Sequence, residues 1–156
     1  MTDLELQDSL VREIEEMTRR HSLKKLNGET WEDYKIYRQE KPYKDDEFED
    51  DQEDYIIVLI NDEDTDGEGN WIVEIQFIIS IVLYEEAHQG NLILANLMNQ
   101  IEMHLRKKGI IAGKYEIEDE MHKRFNQECP PTYYECALIT KWKIPTVQME
   151  GLEGLI

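Results

Sequence analysis

Trp71-Ile72-Val73-Glu74-Ile75-Gln76-Phe77-Ile78-Ile79-Ser80-Ile81-Val82-Leu83-Tyr84 is the stretch on which the fold turns. Its odd positions from Trp71 to Leu83 are all apolar, while the even ones mix Glu74, Gln76 and Ser80 with Ile72, Ile78 and Val82. A period of two marks a strand, here with one face buried throughout and the other in part. About 14 residues at 3.3 Å each span roughly 46 Å, well beyond the usual five or six residues. Such a strand is expected to project from the domain body as half of a hairpin, or to be bent midway by a bulge.

Upstream lies a shorter apolar run, Tyr55-Ile56-Ile57-Val58-Leu59-Ile60, with an acidic block on each side. The first block holds Asp45, Asp46, Glu47, Glu49, Asp50, Asp51, Glu53 and Asp54; the second holds Asp62, Glu63, Asp64, Asp66 and Glu68. No Lys or Arg occurs between positions 45 and 68. Without these 13 acids the chain carries 22 acids against 17 bases, a net charge of −5 rather than −18. The charge is local, so both blocks are expected in loops at the ends of one short strand. Concentrated negative potential on the connections of a sheet points to an interaction surface, with Asp45, Asp46, Glu47, Glu49, Asp50, Asp51, Glu53, Asp54, Asp62, Asp64 and Asp66 as its candidate residues.

The rest of the chain supplies helices and further strands. Leu6, Leu10, Ile14, Met17 and His21 recur at helical spacing behind a Thr2/Glu5 capping-box pattern, and Gly28 is the expected stop. Glu15 and Arg19, like Glu16 and Arg20, stand one turn apart on the opposite side. A short strand is expected around residues 35–39. A second helix, residues 91–108, carries Leu94, Leu97, Met98, Ile101 and Leu105 and closes on Arg106, Lys107, Lys108 and Gly109. Tyr115 and Ile117 mark a strand, residues 119–129 a polar stretch, and residues 133–144 a final strand that Pro145 ends. The order α-β-β-β-α-β-β predicts an α+β fold: a mixed or antiparallel sheet with a long hairpin and two helices on one face. One domain over residues 1–146 is expected, followed by a loose tail at 147–156.

Composition excludes several classes. A strongly acidic chain is a poor match for nucleic acid or anionic lipid, both of which call for basic patches. No run approaches a membrane span, and the acidic start lacks a secretion signal. Two cysteines, Cys129 and Cys136, make no disulfide framework, so a soluble chain in a reducing compartment is expected. Asp62-Glu63-Asp64-Thr65-Asp66-Gly67 imitates the start of an EF-hand loop, but position 12 is Val73 where a bidentate Glu is needed. His122, Cys129 and Cys136 lack paired zinc spacing. His21, His88 and His104 have no nucleophile partner, and Ser9, Ser22 and Ser80 sit in no nucleophile elbow. Neither a phosphate loop nor any other catalytic motif appears, so no enzyme, metal or cofactor is expected.

An ordered set of features resembles the tail terminator (tail completion) proteins of long-tailed bacteriophages and of prophages in Gram-positive bacteria. These are the acidic loop, Tyr55-Ile56-Ile57-Val58, the long strand to Tyr84-Glu85, and Gln89-Gly90-Asn91 ahead of a helix. Residues 114–118, Pro130-Pro131-Thr132-Tyr133-Tyr134, and Trp142-Lys143-Ile144-Pro145 complete it, covering roughly residues 45–146. The resemblance implies an α+β protomer forming a hexameric ring that caps the tail tube and joins it to the head connector. Its partners would be the tube protein, the connector protein and copies of itself, first in the host cytoplasm and then in the virion. An acidic ring would let DNA pass through its bore without adhering. Two rivals remain: an acidic DNA-mimic inhibitor that captures a basic protein, and a metal-dependent enzyme built on residues 62–66.

Overall fold

The computed structural model describes residues 2–20, 34–41, 54–82, 90–129 and 132–145. Helix α1 is Asp3–Arg20 and helix α2 is Gly90–Lys108. The strands are β1 Lys35–Arg38, β2 Tyr55–Thr65, β3 Asn70–Val82, β4 Ile110–Ile111, β5 Tyr115–Ile117, β6 His122–Phe125 and β7 Tyr133–Pro145. They form one sheet in the order β1-β2-β3-β7-β5-β4, with β6 also on the edge of β7. Among the described strands only the β1–β2 pairing is parallel. Two helices on a mixed sheet make this an α+β fold.

Strand β3 is the centre of the molecule. Val73, Ile75, Phe77, Ile79 and Ile81 are fully buried, as the period of two predicts. They meet Ile56 and Val58 of β2 and Cys136, Leu138, Trp142 and Ile144 of β7 on the same face. Helix α1 lays Leu6, Leu10, Ile14 and Met17 on this layer, and α2 adds Leu94, Leu97, Met98, Ile101 and Leu105. Gln7, Ser80 and Thr140 are the buried polar residues among those described. The Thr140 hydroxyl donates to the Ile75 carbonyl at 2.9 Å and accepts from the Trp142 indole N–H at 2.8 Å, so a buried Trp keeps its partner.

The helix ends follow their punctuation. Thr2 Oγ1 accepts from the Glu5 N–H at 3.1 Å, as an N-cap should. The Glu5 carboxylate itself accepts from the Tyr115 hydroxyl at 3.1 Å, tying the helix start to β5. Gly109 takes φ 69° while its N–H donates to the Leu105 carbonyl, the left-handed stop that glycine adopts without strain.

Four expectations need correction. First, β2 does not end at Ile60. Residues 62–65 continue it, because a bulge at Asn61 shifts the register with β3 and the backbone goes on pairing to Thr65 opposite Trp71. Second, β3 is not one half of a lone two-stranded hairpin. β7 pairs with it along its whole length, from Asn70 opposite Pro145 to Val82 opposite Tyr133. Third, Trp71 is 43% exposed, since it lies at the hairpin end beyond the helix-covered layer. Fourth, the polar stretch after Asp119 contains β6, whose Phe125 is half-buried against the core, and β4 is a further short strand before β5. The helix stop at Gly28, His21, the side chains of Arg19 and Arg20, His88, Gln89, Pro130-Pro131 and the tail from Thr146 lie outside the described residues.

Candidate functional site

Both helices pack on one side of the sheet, and none of the described helices covers the other. Strand alternation sorts this outer face into cross-strand tiers. At one end stand Tyr55, Ser80 and Glu135; next come Ile57, Ile78, Ala137 and Arg124; then Leu59, Gln76, Ile139 and His122. Nearer the hairpin tip are Asp62, Glu74 and Lys141, then Asp64, Ile72 and Lys143. The middle is therefore aliphatic, and the tip end is charged with both signs. Ile57, Ile72, Ile78 and Ala137 are half-buried, with none of the described helices over them. Apolar surface left in that state is what a protein partner removes from water.

The bulge at Asn61 decides which acids reach this face. Before it, odd residues of β2 point outward; after it, the even residues Asp62 and Asp64 do, and Glu63 turns to the helix side opposite Val73. There, burial and the neighbouring Asp3 carboxylate push the Glu63 carboxyl above its ordinary range. Asp62 and Asp64 are exposed.

Asp66 has a different task. Its carboxylate accepts from the N–H groups of Glu68 and Asn70 and from the Asn70 side-chain amide, closing the loop through Gly67 and Gly69, both at positive φ. The Asn70 amide, helped by those backbone donors, holds its carboxyl below the usual range. Asp54 also turns inward, accepting from the Val82 N–H at 3.0 Å across the end of the hairpin. Of the candidate acids, Asp62 and Asp64 thus share an exposed face, while Asp54 and Asp66 staple backbone. Asp45, Asp46, Glu47, Glu49, Asp50, Asp51 and Glu53 lie outside the described residues.

Two concavities adjoin the layers. One of about 480 Å³ opens on the outer face between Lys41, Tyr55, Ser80, Cys129, Tyr133 and Glu135, with the Lys41 ammonium 4.8 Å above the Tyr55 ring. Burial raises the Cys129 thiol, so it is no activated nucleophile there. The other, about 630 Å³, lies beside both helices against Met17, Gln100, Met103, His104, Arg106 and Lys107. At its margin Glu13 of α1 accepts from His104 and Lys108 of α2. Burial alone would raise the Glu13 carboxyl, but these two donors outweigh it and leave it lowered.

Among the described residues, no three His, Cys, Asp or Glu side chains stand together as a metal set. Cys136 faces the core, with burial pushing its thiol up to about 12, whereas His122 lies on the outer face. No described helix is long and apolar enough to cross a membrane.

Sequence reasoning missed the basic edge strand His122-Lys123-Arg124-Phe125, since four residues with one apolar member give little periodic signal. It also left unseen the contact between two features of the resemblance. Gly90, at the start of α2, lies against the ring of Tyr134 so closely that a Cβ there would fall 2.2 Å from the ring's Cγ. No known protein family and no curated protein matches the chain.

Proposed function

We propose that this protein is a structural component of a long-tailed phage or prophage, acting as a tail terminator that closes the tail tube and joins it to the head connector. The observation that carries the reading is the outer face of the sheet, which none of the described helices covers: an aliphatic strip, much of it half-buried, bordered by a mixed-charge tip. A ring component needs such a face, because it works through repeated contacts with copies of itself and with the tube. The ordered resemblance across residues 45–146 gives that face its assignment, and the contact of Gly90 with Tyr134 supplies a packing reason for two of its features. No substrate chemistry is invoked; the function is geometric.

The DNA-mimic reading is less favoured on one observation. A mimic presents carboxylates in place of phosphates, but on this face Lys141 and Lys143 alternate with Glu74 and Asp64 across the strands. Removing the gene from its phage tests the proposal. Over-long tails or unjoined heads and tails, rescued by the wild-type gene, are the expected result. Normal joined particles without the protein would refute it, and tight, salt-sensitive capture of a basic nuclease or repressor would install the mimic instead.

A further inference from the structure

Among the described residues, two strand edges on opposite sides of the sheet have no strand beside them, and their chemistry is complementary. On one side, β1 covers β2 only from Tyr55 to Val58. The Gln39 side-chain amide then seals both backbone groups of Ile60. From Asn61 to Thr65 none of the described strands runs along this edge, which carries Asp62, Glu63 and Asp64. On the other side, β6 pairs with β7 alone among the described strands, and its edge reads His122-Lys123-Arg124-Phe125.

The backbone parity of the two edges also matches. The Asp66 N–H donates to the Asn70 carbonyl, so alternation turns the even residues after the bulge toward β3. Glu63 and Thr65 are left with N–H and C=O directed outward. Likewise the Asn126 N–H donates to the Glu135 carbonyl, so the even residues of β6 bind β7 while Lys123 and Phe125 point outward. Side chains agree: Glu63 and Lys123 share the helix side, whereas Asp62, Asp64, His122 and Arg124 share the outer face.

We propose that a second copy of this chain adds its β6 to the distal edge of β2, antiparallel, with Glu63 opposite Lys123, Asp62 opposite Arg124 and Asp64 opposite His122. The direction is set by topology. β2 and β7 run one way and β3 and β6 the other, so copies related by rotation about an axis along the strands bring opposed strands together. Each copy uses a different edge on each side, which is the heterologous contact that generates rings. The edges differ in height by the step from Leu138 to Trp142 on β7, an even step that preserves the in–out alternation. A ring takes up such a stagger by tilting its strands, as closed barrels do. Within one copy the Lys123 ammonium already donates to Asn99 at 2.6 Å and Glu102 at 3.2 Å on α2, so the contact sets Glu63 beside that cluster and the opposed charges that join the two copies are Asp62 with Arg124 and Asp64 with His122.

This contact deepens the ring reading and rests on it, yet the two can fail separately. Asp62→Cys with Arg124→Cys, in a Cys129→Ser background, places the new thiols at a non-hydrogen-bonded pair, where Cα atoms are about 4.5 Å apart and a disulfide can form. Oxidation of the concentrated protein should give a ladder of covalent multimers that neither single-cysteine variant gives. In parallel, Asp62→Lys with Asp64→Lys should raise the association midpoint about tenfold or more, and His122→Glu with Arg124→Glu added to the same chain should restore it. Absence of the ladder, or absence of restoration, overturns the edge contact; phage tails of normal length in that case leave the terminator reading standing. A ladder from a protein whose loss leaves tails unchanged keeps the contact and removes that reading.

Discussion

Gly90→Ala probes the contact that joins the start of α2 to β7. The added methyl would lie 2.2 to 2.4 Å from three ring carbons of Tyr134, including Cγ, the carbon that anchors the ring to its Cβ. Because the ring is met near its attachment point, rotation of a flexible end cannot relieve the clash. The helix or the strand must move instead, and overpacking of this kind costs about 1–3 kcal/mol. Against it stands the gain from replacing glycine by alanine, at most about 1 kcal/mol inside a helix and less at its first residue. The net expectation is a loss of about 1–2 kcal/mol, or a melting point lower by roughly 2–8 °C for a chain of this size. Urea unfolding measures it, and Tyr134→Ala supplies the control. In that background the ring is gone, so Gly90→Ala should be neutral or slightly stabilising, giving a coupling of about 1–2 kcal/mol. Equal destabilisation in both backgrounds, or none in either, would refute the packing account.

The same geometry sets other expectations. Thr140→Val keeps the shape but removes the acceptor of the buried Trp142 indole N–H, and should cost about 1–3 kcal/mol in denaturant unfolding. Gln7→Leu removes the amide that bridges the Gln39 side chain and the Val58 carbonyl, and should weaken the β1–β2 edge by about 1–2 kcal/mol, visible as faster hydrogen exchange of the Ile60 amide. Glu13 has a lowered carboxyl, so its contribution is complete above the unfolded-state value near 4.3 and is lost as pH falls through the folded value. Glu13→Gln should therefore flatten the acid limb of the stability–pH curve. Asp66→Ala should release the amides of Glu68 and Asn70 to exchange without altering the core amides of β3.

Patterned segments made the fold legible. The alternation from Trp71 to Val82 could be only a strand, and the stripes of α1 and α2 announced a face that must be covered; Val73, Ile75, Leu10 and Leu97 are buried as that reading requires, while Leu83 and Tyr84 lie outside the described residues. Failures came where local pattern carries no information. Asp62 to Thr65 looks like a loop by composition, yet it is a strand because β3 pairs with its backbone, and backbone pairing is indifferent to side-chain polarity when those side chains face water. β6 was hidden for the same reason. Trp71 fits the apolar alternation but lies past the end of the helix layer, which no periodicity records.

The candidate surface divides in the same way. Sequence alone determined that negative charge is concentrated beside a long apolar strand, because charge and alternation are properties of neighbours along the chain. Only the tertiary structure decided which carboxylates meet solvent together. A single extra residue, Asn61, reverses the in–out order of the rest of β2, sending Asp62 and Asp64 outward and Glu63 toward α1, while Asp66 and Asp54 are drawn to backbone donors. That outcome depends on strand register, which is set by partners far away in sequence.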